Sequence, residues 1–160
     1  MMRAYVALGS NLGDSRQQLL HAIEALAGLP HTRVLARSRF YRTPPWGIVD
    51  QPDFLNAVVV LETPLAPHAL LDALLEIERA AGRERHGERW GPRTLDLDLL
   101  HVAGTTVCDE RLTLPHPHIA ERAFVLLPLS ELAPELEIPG QGRVSDLLRA
   151  VDTQGCQAVA

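Results

Sequence analysis

The sequence predicts an α+β fold, because segments with strand and helix patterns follow one another in a single recognisable order. Apolar or alternating runs indicate strands, and apolar residues at three- and four-residue spacing indicate helices. The predicted strands lie at residues 5–8, 33–41, 54–62 and 95–102, and helices begin at Ser15 and Pro67 and near residues 119 and 144. This order is that of a ferredoxin-like βαββαβ antiparallel sheet with helices on one face, followed here by a helical C-terminal extension. In such a layout we expect the first and last strands to be central neighbours, with the last strand in the middle of the sheet.

The ends of the first two helices are marked by residues with known terminal preferences. Ser15, with a glutamine three positions later, resembles a capping box and should start the first helix, which Gly28 ends. Proline is favoured in the first helical turn, so Pro67 fits the start of the second helix, and Gly82 closes it. Residues 152–160 follow the last helix pattern, and we expect them to be loosely ordered.

Length and composition limit the class of protein. A chain of 160 residues is long enough for one hydrophobic core, so we expect a single domain over residues 1–160. The net charge of −5 argues against general binding to nucleic acid, which needs a basic surface. Two cysteines are too few for a disulfide framework and suit a reducing compartment. No apolar run is long enough to cross a membrane and the N-terminus does not resemble a signal peptide, so we expect a soluble cytoplasmic protein. We also expect it to be a monomer.

The segment 83–100 carries the strongest chemical signal in the chain. Its first part holds the arginines Arg83, Arg85, Arg89 and Arg93, and its second part alternates leucine with Asp96 and Asp98. In a strand these aspartates point to the same face, with Cα atoms roughly 6–7 Å apart. Paired carboxylates suit Mg²⁺, and guanidinium groups suit phosphate oxygens. The segment therefore predicts a site for a metal-bound polyphosphate.

The alternative for the aspartate pair is a solvated edge strand. Leu95, Leu97 and Leu99 between and beside the aspartates indicate burial nearby, which weakens that alternative. Two carboxylates on one face also repel each other unless a cation lies between them or one stays protonated.

Other polar residues leave their roles open on the sequence alone. Asn56 in an apolar strand is either a hydrogen-bonded structural amide or a reader of a polar heterocycle. Trp46, in a proline-rich loop at 42–52, either packs on the body or contacts a ligand. His116 and His118 have no cysteine or third histidine beside them, so we do not expect a zinc site.

Residues 88–100, Glu-Arg-Trp-Gly-Pro-Arg-Thr-Leu-Asp-Leu-Asp-Leu-Leu, form a long and specific motif. It resembles the signature of the 6-hydroxymethyl-7,8-dihydropterin pyrophosphokinases of the folate pathway. Four shorter segments match the same family in the right order, at residues 7–12, 40–45, 53–57 and 114–117. The resemblance implies transfer of a pyrophosphoryl group from ATP to the hydroxymethyl oxygen of the pterin, with release of AMP.

The resemblance also implies roles for individual residues. Asp96 and Asp98 would bind two Mg²⁺ ions that bridge the ATP phosphates, and Arg83 and Arg93 would neutralise those phosphates. The residues implied on the ATP side are Leu71, Glu78, Arg85, Arg89, Trp90, Leu99, Arg111, Thr113, His116 and Arg122. The residues implied in the pterin pocket are Thr43, Pro44, Pro45, Trp46, Phe54, Asn56 and Phe124, with the ring between Phe54 and Phe124.

Three positions depart from the family pattern. Trp46 stands where a smaller aliphatic residue is common, Phe54 where tyrosine is common, and Pro117 where tyrosine is also common. Phe54 lacks the tyrosine hydroxyl, but its ring can still stack on the pterin. Pro117 has no backbone N–H and cannot donate a hydrogen bond there. None of the three is an implied metal ligand.

Two other classes of protein compete with this interpretation. A different Mg²⁺-dependent nucleotidyl- or phosphotransferase would use the same Asp-x-Asp strand, and its nucleotide product would distinguish it. An RNA-recognition module of similar fold would need exposed aromatics and a basic sheet face, whereas this chain places Asp96 and Asp98 there.

Overall fold

The computed structural model describes residues 1–11, 14–44, 52–82 and 95–159. The strands are β1 (Met2–Ser10), β2 (Arg33–Arg37), β3 (Phe40–Thr43), β4 (Phe54–Thr63), β5 (Asp96–Val102), β6 (Val107–Cys108), β7 (Thr113–Leu114), β8 (Glu137–Ile138), β9 (Gly142–Arg143) and β10 (Gln157–Val159). The helices are α1 (Ser15–Ala27), α2 (Pro67–Ala80), α3 (Ala123–Leu132) and α4 (Val144–Arg149), with a 3₁₀ turn at Ile119–Glu121. This order confirms the predicted α+β class and its helical extension.

The main sheet is antiparallel, with the strand order β10-β3-β4-β1-β5, and β2 also pairs with β4. Strand β4 pairs with β1 along its whole length, and β5 takes the other side of β1. The first and last strands of the βαββαβ unit are therefore neighbours, as expected. The expectation that the aspartate strand lies mid-sheet is wrong, because β1 and β4 occupy the centre. Among the described strands β5 has β1 as its one partner and forms an edge.

Helices cover both faces of the sheet. On one face α1 and α2 bury a core that includes Leu19, Leu70, Leu74 and Leu97, matching the predicted apolar stripes. On the other face α3 and α4 bury a second core around Leu126 and the central strands. The predicted C-terminal extension therefore packs against the face that the two inner helices leave open.

The second core is also tied to the sheet by polar contacts from α3. The Glu131 carboxylate accepts hydrogen bonds from the Arg39 backbone N–H at 2.9 Å and from its Nε at 3.1 Å. The Tyr41 hydroxyl on β3 donates a short hydrogen bond to the same carboxylate. These bonds hold α3 against the end of the sheet that carries β3.

The helix ends follow the sequence signals with one change. The N-cap of α1 is Asp14, whose side chain accepts from the Gln17 N–H at 3.2 Å. The expectation that Ser15 caps this helix is wrong, because the aspartate one residue earlier has the side chain that reaches the free N–H. Pro67 lies in the first turn of α2, and Gly82 follows that helix with a φ of +86°.

The predicted strand at 33–41 is broken into β2 and β3. At the break, the Ser38 N–H donates to the Val58 carbonyl at 2.9 Å, and the Ser38 Oγ accepts from the Val58 N–H at 3.0 Å. The polar residue lets the strand bend without leaving a buried β4 donor unpaired.

Residues 152–159 are ordered, so the expectation of a loose tail is wrong for them. Strand β10 pairs with β3 and adds an outer strand to the sheet. Its pairing uses backbone groups on the edge of β3, which short-range sequence patterns do not reveal. Among the residues described, none of the helices has the length and apolarity needed to cross a bilayer.

Candidate active site

Asp96 and Asp98 lie on β5 with half-buried side chains on the face covered by α3. The leucines that alternate with them point the other way, into the core beneath α1 and α2. This alternation confirms that the two carboxylates share one face. An arginine approaches them from the segment before α3, since Arg122 Nη1 lies 4.0 Å from Asp98 Oδ2.

The same sheet face carries Asn56, one of the residues predicted for the pterin pocket. The register pairs Gly9 of β1 with Asn56 on one side and with Asp96 on the other. Residues opposite each other on paired strands point to the same face, so Asn56 and Asp96 face α3 from strands roughly 10 Å apart. The strand between them presents Ala7 and Gly9, which leave a shallow trough. The fold therefore brings Asn56 and the predicted metal ligand Asp96 to the two sides of one groove.

Asn56 is buried and its amide is held in a defined orientation. Its Nδ2 donates to the Thr43 hydroxyl at 2.7 Å, and its Oδ1 lies over Gly9. A β-carbon at Gly9 would come within 2.8 Å of that oxygen. The glycine is therefore needed because a side chain at this position would displace the Asn56 amide. Gly9 is not among the glycines with a positive φ, so left-handed backbone is not the reason.

For the pterin that the sequence resemblance implies as substrate, we expect Gly9→Ala to raise the KM about fivefold, because the displaced amide loses one hydrogen bond of order 1 kcal/mol. The KM for ATP should change little, since Asn56 lies across the groove from β5. Steady-state kinetics with each substrate varied in turn measures the difference.

Gly28→Ala is the matched control, because a β-carbon there meets its nearest atom, the Ala25 carbonyl oxygen, at an ordinary 3.5 Å. Equal KM values for the pterin in the two variants would contradict the role of Gly9.

Phe124, on the first turn of α3, is half-buried beside this groove, and Phe54 on β4 faces the same way. The guanidinium carbon of Arg122 lies 5.8 Å from the centre of the Phe124 ring. Arg122 therefore lies between the Phe124 ring and the Asp98 carboxylate.

His116 is positioned by two backbone contacts. Its N–H donates to the Leu100 carbonyl on β5 at 2.7 Å, and its Nδ1 accepts from the His118 N–H at 3.1 Å. Burial, followed by the nearby positive charges of Arg122 and His118, lowers the pKa of His116 to about 4. At neutral pH the ring is uncharged, with its proton on Nε2, and acts as a hydrogen-bond donor.

The pKa of His116 links folding to pH. Because the pKa is about 4 in the folded chain and near 6.5 when unfolded, the unfolded chain holds more protons between these values. Stability should fall as the pH drops from about 6.5 to 4, and His116→Asn should remove part of that fall. We expect a difference on the order of 1 kcal/mol, reduced from the fully buried case because the ring is partly solvated.

Urea unfolding at several pH values measures this effect, with His21→Asn on the exposed side of α1 as the comparison variant. An identical pH dependence in His116→Asn and the unaltered chain would contradict it.

Glu78, at the C-terminal end of α2, is 3% exposed and reaches the edge of β5. Its Oε2 accepts from the Leu97 N–H at 2.7 Å, between the two aspartates. A strand edge normally needs such cover, because free N–H groups would otherwise be buried without partners. The structure therefore places Glu78 as an anchor of the aspartate strand.

The remaining predicted site residues are dispersed. Leu71 on α2 and Leu99 on β5 pack into the core beneath the inner helices, so Leu99 can offer a ligand only its backbone. Arg111 pairs with Asp72 of α2, and Thr113 lies exposed on β7. Seven predicted residues lie outside the described part of the chain: Pro45, Trp46, Arg83, Arg85, Arg89, Trp90 and Arg93.

A cavity of about 490 Å³ opens next to this groove. It is lined by Thr43, Pro44, Glu121, Ala123, Phe124, Val151, Asp152, Gln154 and Cys156. Its volume lies in the range of small-molecule sites. Sequence reasoning predicted Thr43, Pro44 and Phe124 among these residues and missed the other six. It also missed Gly9, although a glycine inside a strand is a known signal of close approach.

Carboxylates, an arginine and a histidine gathered on one sheet face beside a cavity that Phe124 borders are typical of the active site of an α+β enzyme with small-molecule substrates. The family model described as 7,8-dihydro-6-hydroxymethylpterin-pyrophosphokinase matches residues 5–134. The chain belongs to this family, whose reaction is pyrophosphoryl transfer to hydroxymethyldihydropterin in folate biosynthesis, with ATP as co-substrate.

Named relatives agree over almost the whole chain. A 2-amino-4-hydroxy-6-hydroxymethyldihydropteridine pyrophosphokinase of Methylorubrum extorquens is 53% identical over 159 residues, covering 99% of both chains. The enzyme of the same name from Pseudomonas aeruginosa is 48% identical, covering 98% of this chain and 96% of the relative.

Solved structures of the same fold include the Plasmodium falciparum HPPK-DHPS with SDX-DHP, which has a TM-score of 0.70 at 15% identity and covers 94% of this chain. An HPPK-DHPS in complex with substrates has a TM-score of 0.74 at 14% identity and covers 93% of this chain. This chain spans 43% of the length of each of those chains, and the likeness confirms the fold.

Proposed function

We propose that this chain transfers the pyrophosphoryl group of ATP to 6-hydroxymethyl-7,8-dihydropterin through the groove between β4 and β5. The hydroxymethyl oxygen loses its proton to solvent and forms a bond to the β-phosphorus. The bond from that phosphorus to the α-phosphate oxygen breaks, and AMP leaves with that oxygen. The observation that carries the proposal is that Asn56 and Asp96 lie on opposite sides of Gly9 on one sheet face.

The donor set fits Mg²⁺. Asp96 and Asp98 supply carboxylate oxygens from adjacent same-face positions, and Mg²⁺ in nucleotide sites commonly takes one or two carboxylates together with substrate phosphates and water. Within the described residues, no three His, Cys, Asp or Glu side chains cluster as a complete metal site. This agrees with a metal that completes its coordination on ATP. When bound, two such ions would neutralise the phosphates and favour in-line displacement.

We assign the pterin to the side of the groove near β4. Asn56 offers a fixed amide to the polar edge of the ring, and Thr43 and Pro44 border it. Phe54 and Phe124 supply flat apolar surfaces for stacking. Pro45 and Trp46 complete this set in the proposal by their place in the motif.

We assign the phosphates of ATP to the side near β5. The neutral ring of His116 can donate its Nε2–H to a phosphate oxygen, and Arg122 adds a positive charge next to Asp98. The arginines of the motif, Arg83 and Arg93, would neutralise the rest of the phosphate charge. Leu71, Leu99, Arg111 and Thr113 belong to the nucleotide side in the same proposal, as do Arg85, Arg89 and Trp90. The whole site is proposed to lie in a single domain of a cytoplasmic monomer.

Incubating the purified protein with ATP, Mg²⁺ and hydroxymethyldihydropterin tests the proposal. We expect AMP and the pterin diphosphate in equal amounts, and no turnover when Mg²⁺ is replaced by excess chelator. Formation of ADP would indicate a different phosphotransferase and would overturn the assignment. Analytical ultracentrifugation of the same sample tests the monomer.

A further inference from the structure

The cavity beside the groove has two walls of different origin. One wall consists of residues already assigned to the pterin, namely Thr43, Pro44 and Phe124. The opposite wall comes from residues 151–156, which contribute Val151, Asp152, Gln154 and Cys156. No family motif in the sequence analysis includes this second wall.

The second wall is held firmly in place. Strand β10 follows it directly and pairs Gln157 with Arg42, one residue before Thr43. Within the wall, the Gln154 N–H donates to the Asp152 carboxylate at 2.8 Å, and the Cys156 N–H donates to the Thr153 carbonyl at 3.0 Å. These bonds make a closed turn whose position is set by the sheet.

The turn also lies directly against the first wall. Gly155 has a φ of +97°, and a β-carbon built there would lie 3.6 Å from the Pro44 ring. Val151 and Phe124 pack against the same core beneath α3 and α4. The two walls are therefore parts of one rigid enclosure and not separate surface features.

From this enclosure we infer that residues 151–156 form a substrate-binding wall of the pterin pocket, with Cys156 facing the bound pterin. The inference rests on the proposed function, which assigns the pterin to the side of the groove that Thr43, Pro44 and Phe124 border. Apolar atoms of Val151 and Cys156 would cover the ring, and the Asp152 and Gln154 side chains would offer acceptors to its amino and ring N–H groups.

Protection of Cys156 from a thiol reagent tests its position in the unaltered protein. N-ethylmaleimide is added at about pH 8.5, because burial and then the Asp152 carboxylate raise the pKa of this thiol. Hydroxymethyldihydropterin, with Mg²⁺ and a non-cleavable ATP analogue, should slow modification of Cys156 about tenfold. Cys108, which is exposed on β6, is the internal control and should react at an unchanged rate. Equal rates for Cys156 with and without the pterin would overturn the inference.

A bulky substitution tests the same wall through kinetics. Cys156→Phe should raise the KM for the pterin about tenfold or more by filling the cavity, while the KM for ATP stays within about twofold. Ala25→Phe, at an exposed position of α1 on the other side of the sheet, is the matched control and should leave both constants unchanged.

The two experiments separate failure of this inference from failure of the proposed function. If the unaltered protein makes AMP and pterin diphosphate but Cys156 is neither protected nor sensitive to bulk, the wall is not part of the site. If the unaltered protein makes no AMP, the proposed function itself fails. Should Cys156→Phe not fold, the protection measurement on the unaltered chain decides the matter.

Discussion

Replacing Asp96 or Asp98 by alanine should lower turnover by at least about 10³-fold, because each variant removes a proposed metal ligand, and such a ligand is worth several kcal/mol to the transition state. Both side chains are half-buried on a strand face, so their removal leaves the leucine side of β5 and its core unchanged. The fold should therefore survive, with little change in the free energy of unfolding. The measurement is the rate of AMP formation across a wide range of Mg²⁺ concentrations.

Asp146→Ala is the matched control for this experiment. Asp146 lies on α4, is exposed, and pairs with Arg149 on the surface. It should retain full activity because its carboxylate is remote from β5. Full activity in Asp96→Ala or Asp98→Ala would rule out the proposed metal role for that residue.

Replacing Glu78 by leucine should cost about 2 kcal/mol of stability, because the buried Leu97 N–H loses its acceptor. Leu97 lies between Asp96 and Asp98, so the aspartates should also be held less precisely. We therefore expect a higher Mg²⁺ concentration for half-maximal turnover, at least about tenfold. Urea unfolding and a Mg²⁺ titration of the rate measure the two effects separately.

Glu78→Gln distinguishes the hydrogen bond that anchors β5 from the negative charge of the Glu78 carboxylate. Glutamine keeps an oxygen that can accept from Leu97, so this variant should retain most of the stability and of the Mg²⁺ affinity. Glu76→Leu, at an exposed position of the same helix, controls for the change in helix composition. If Glu78→Leu behaves like Glu76→Leu in both measurements, Glu78 does not anchor β5.

Local patterns predicted the elements well, and the reason is their range. The alternation around Asp96, the helix spacing after Pro67 and the turn at Gly82 depend on neighbours within a few residues. The break at Ser38 and the cap at Asp14 were missed because each depends on a single hydrogen bond of one side chain. Ser38 finds its partner on β4, twenty residues away in sequence.

The candidate site divides in the same way. Residue type and spacing predicted carboxylates for Mg²⁺ and guanidinium groups for phosphate, and the resemblance of residues 88–100 to a family signature predicted membership of the pterin pyrophosphokinase family. Spacing did not reveal Gly9, whose importance comes from lying between Asn56 and Asp96 in the register. It also did not reveal the wall at 151–156, which reaches the site only through the pairing of β10 with β3.

The sequence by itself determined the order of the elements and the strand that has aspartates on one face and leucines on the other, because both follow from the spacing of near neighbours. It also indicated the family through the motif at residues 88–100. Only the tertiary structure decided that β5 lies at the edge of the sheet, that α3 covers the opposite face from α1 and α2, and that Glu78 and His116 satisfy the outer side of β5. These features depend on which distant backbone and apolar groups bury one another. Packing and hydrogen-bond satisfaction over the whole chain determine these contacts, and they cannot be predicted from the spacing of neighbouring residues.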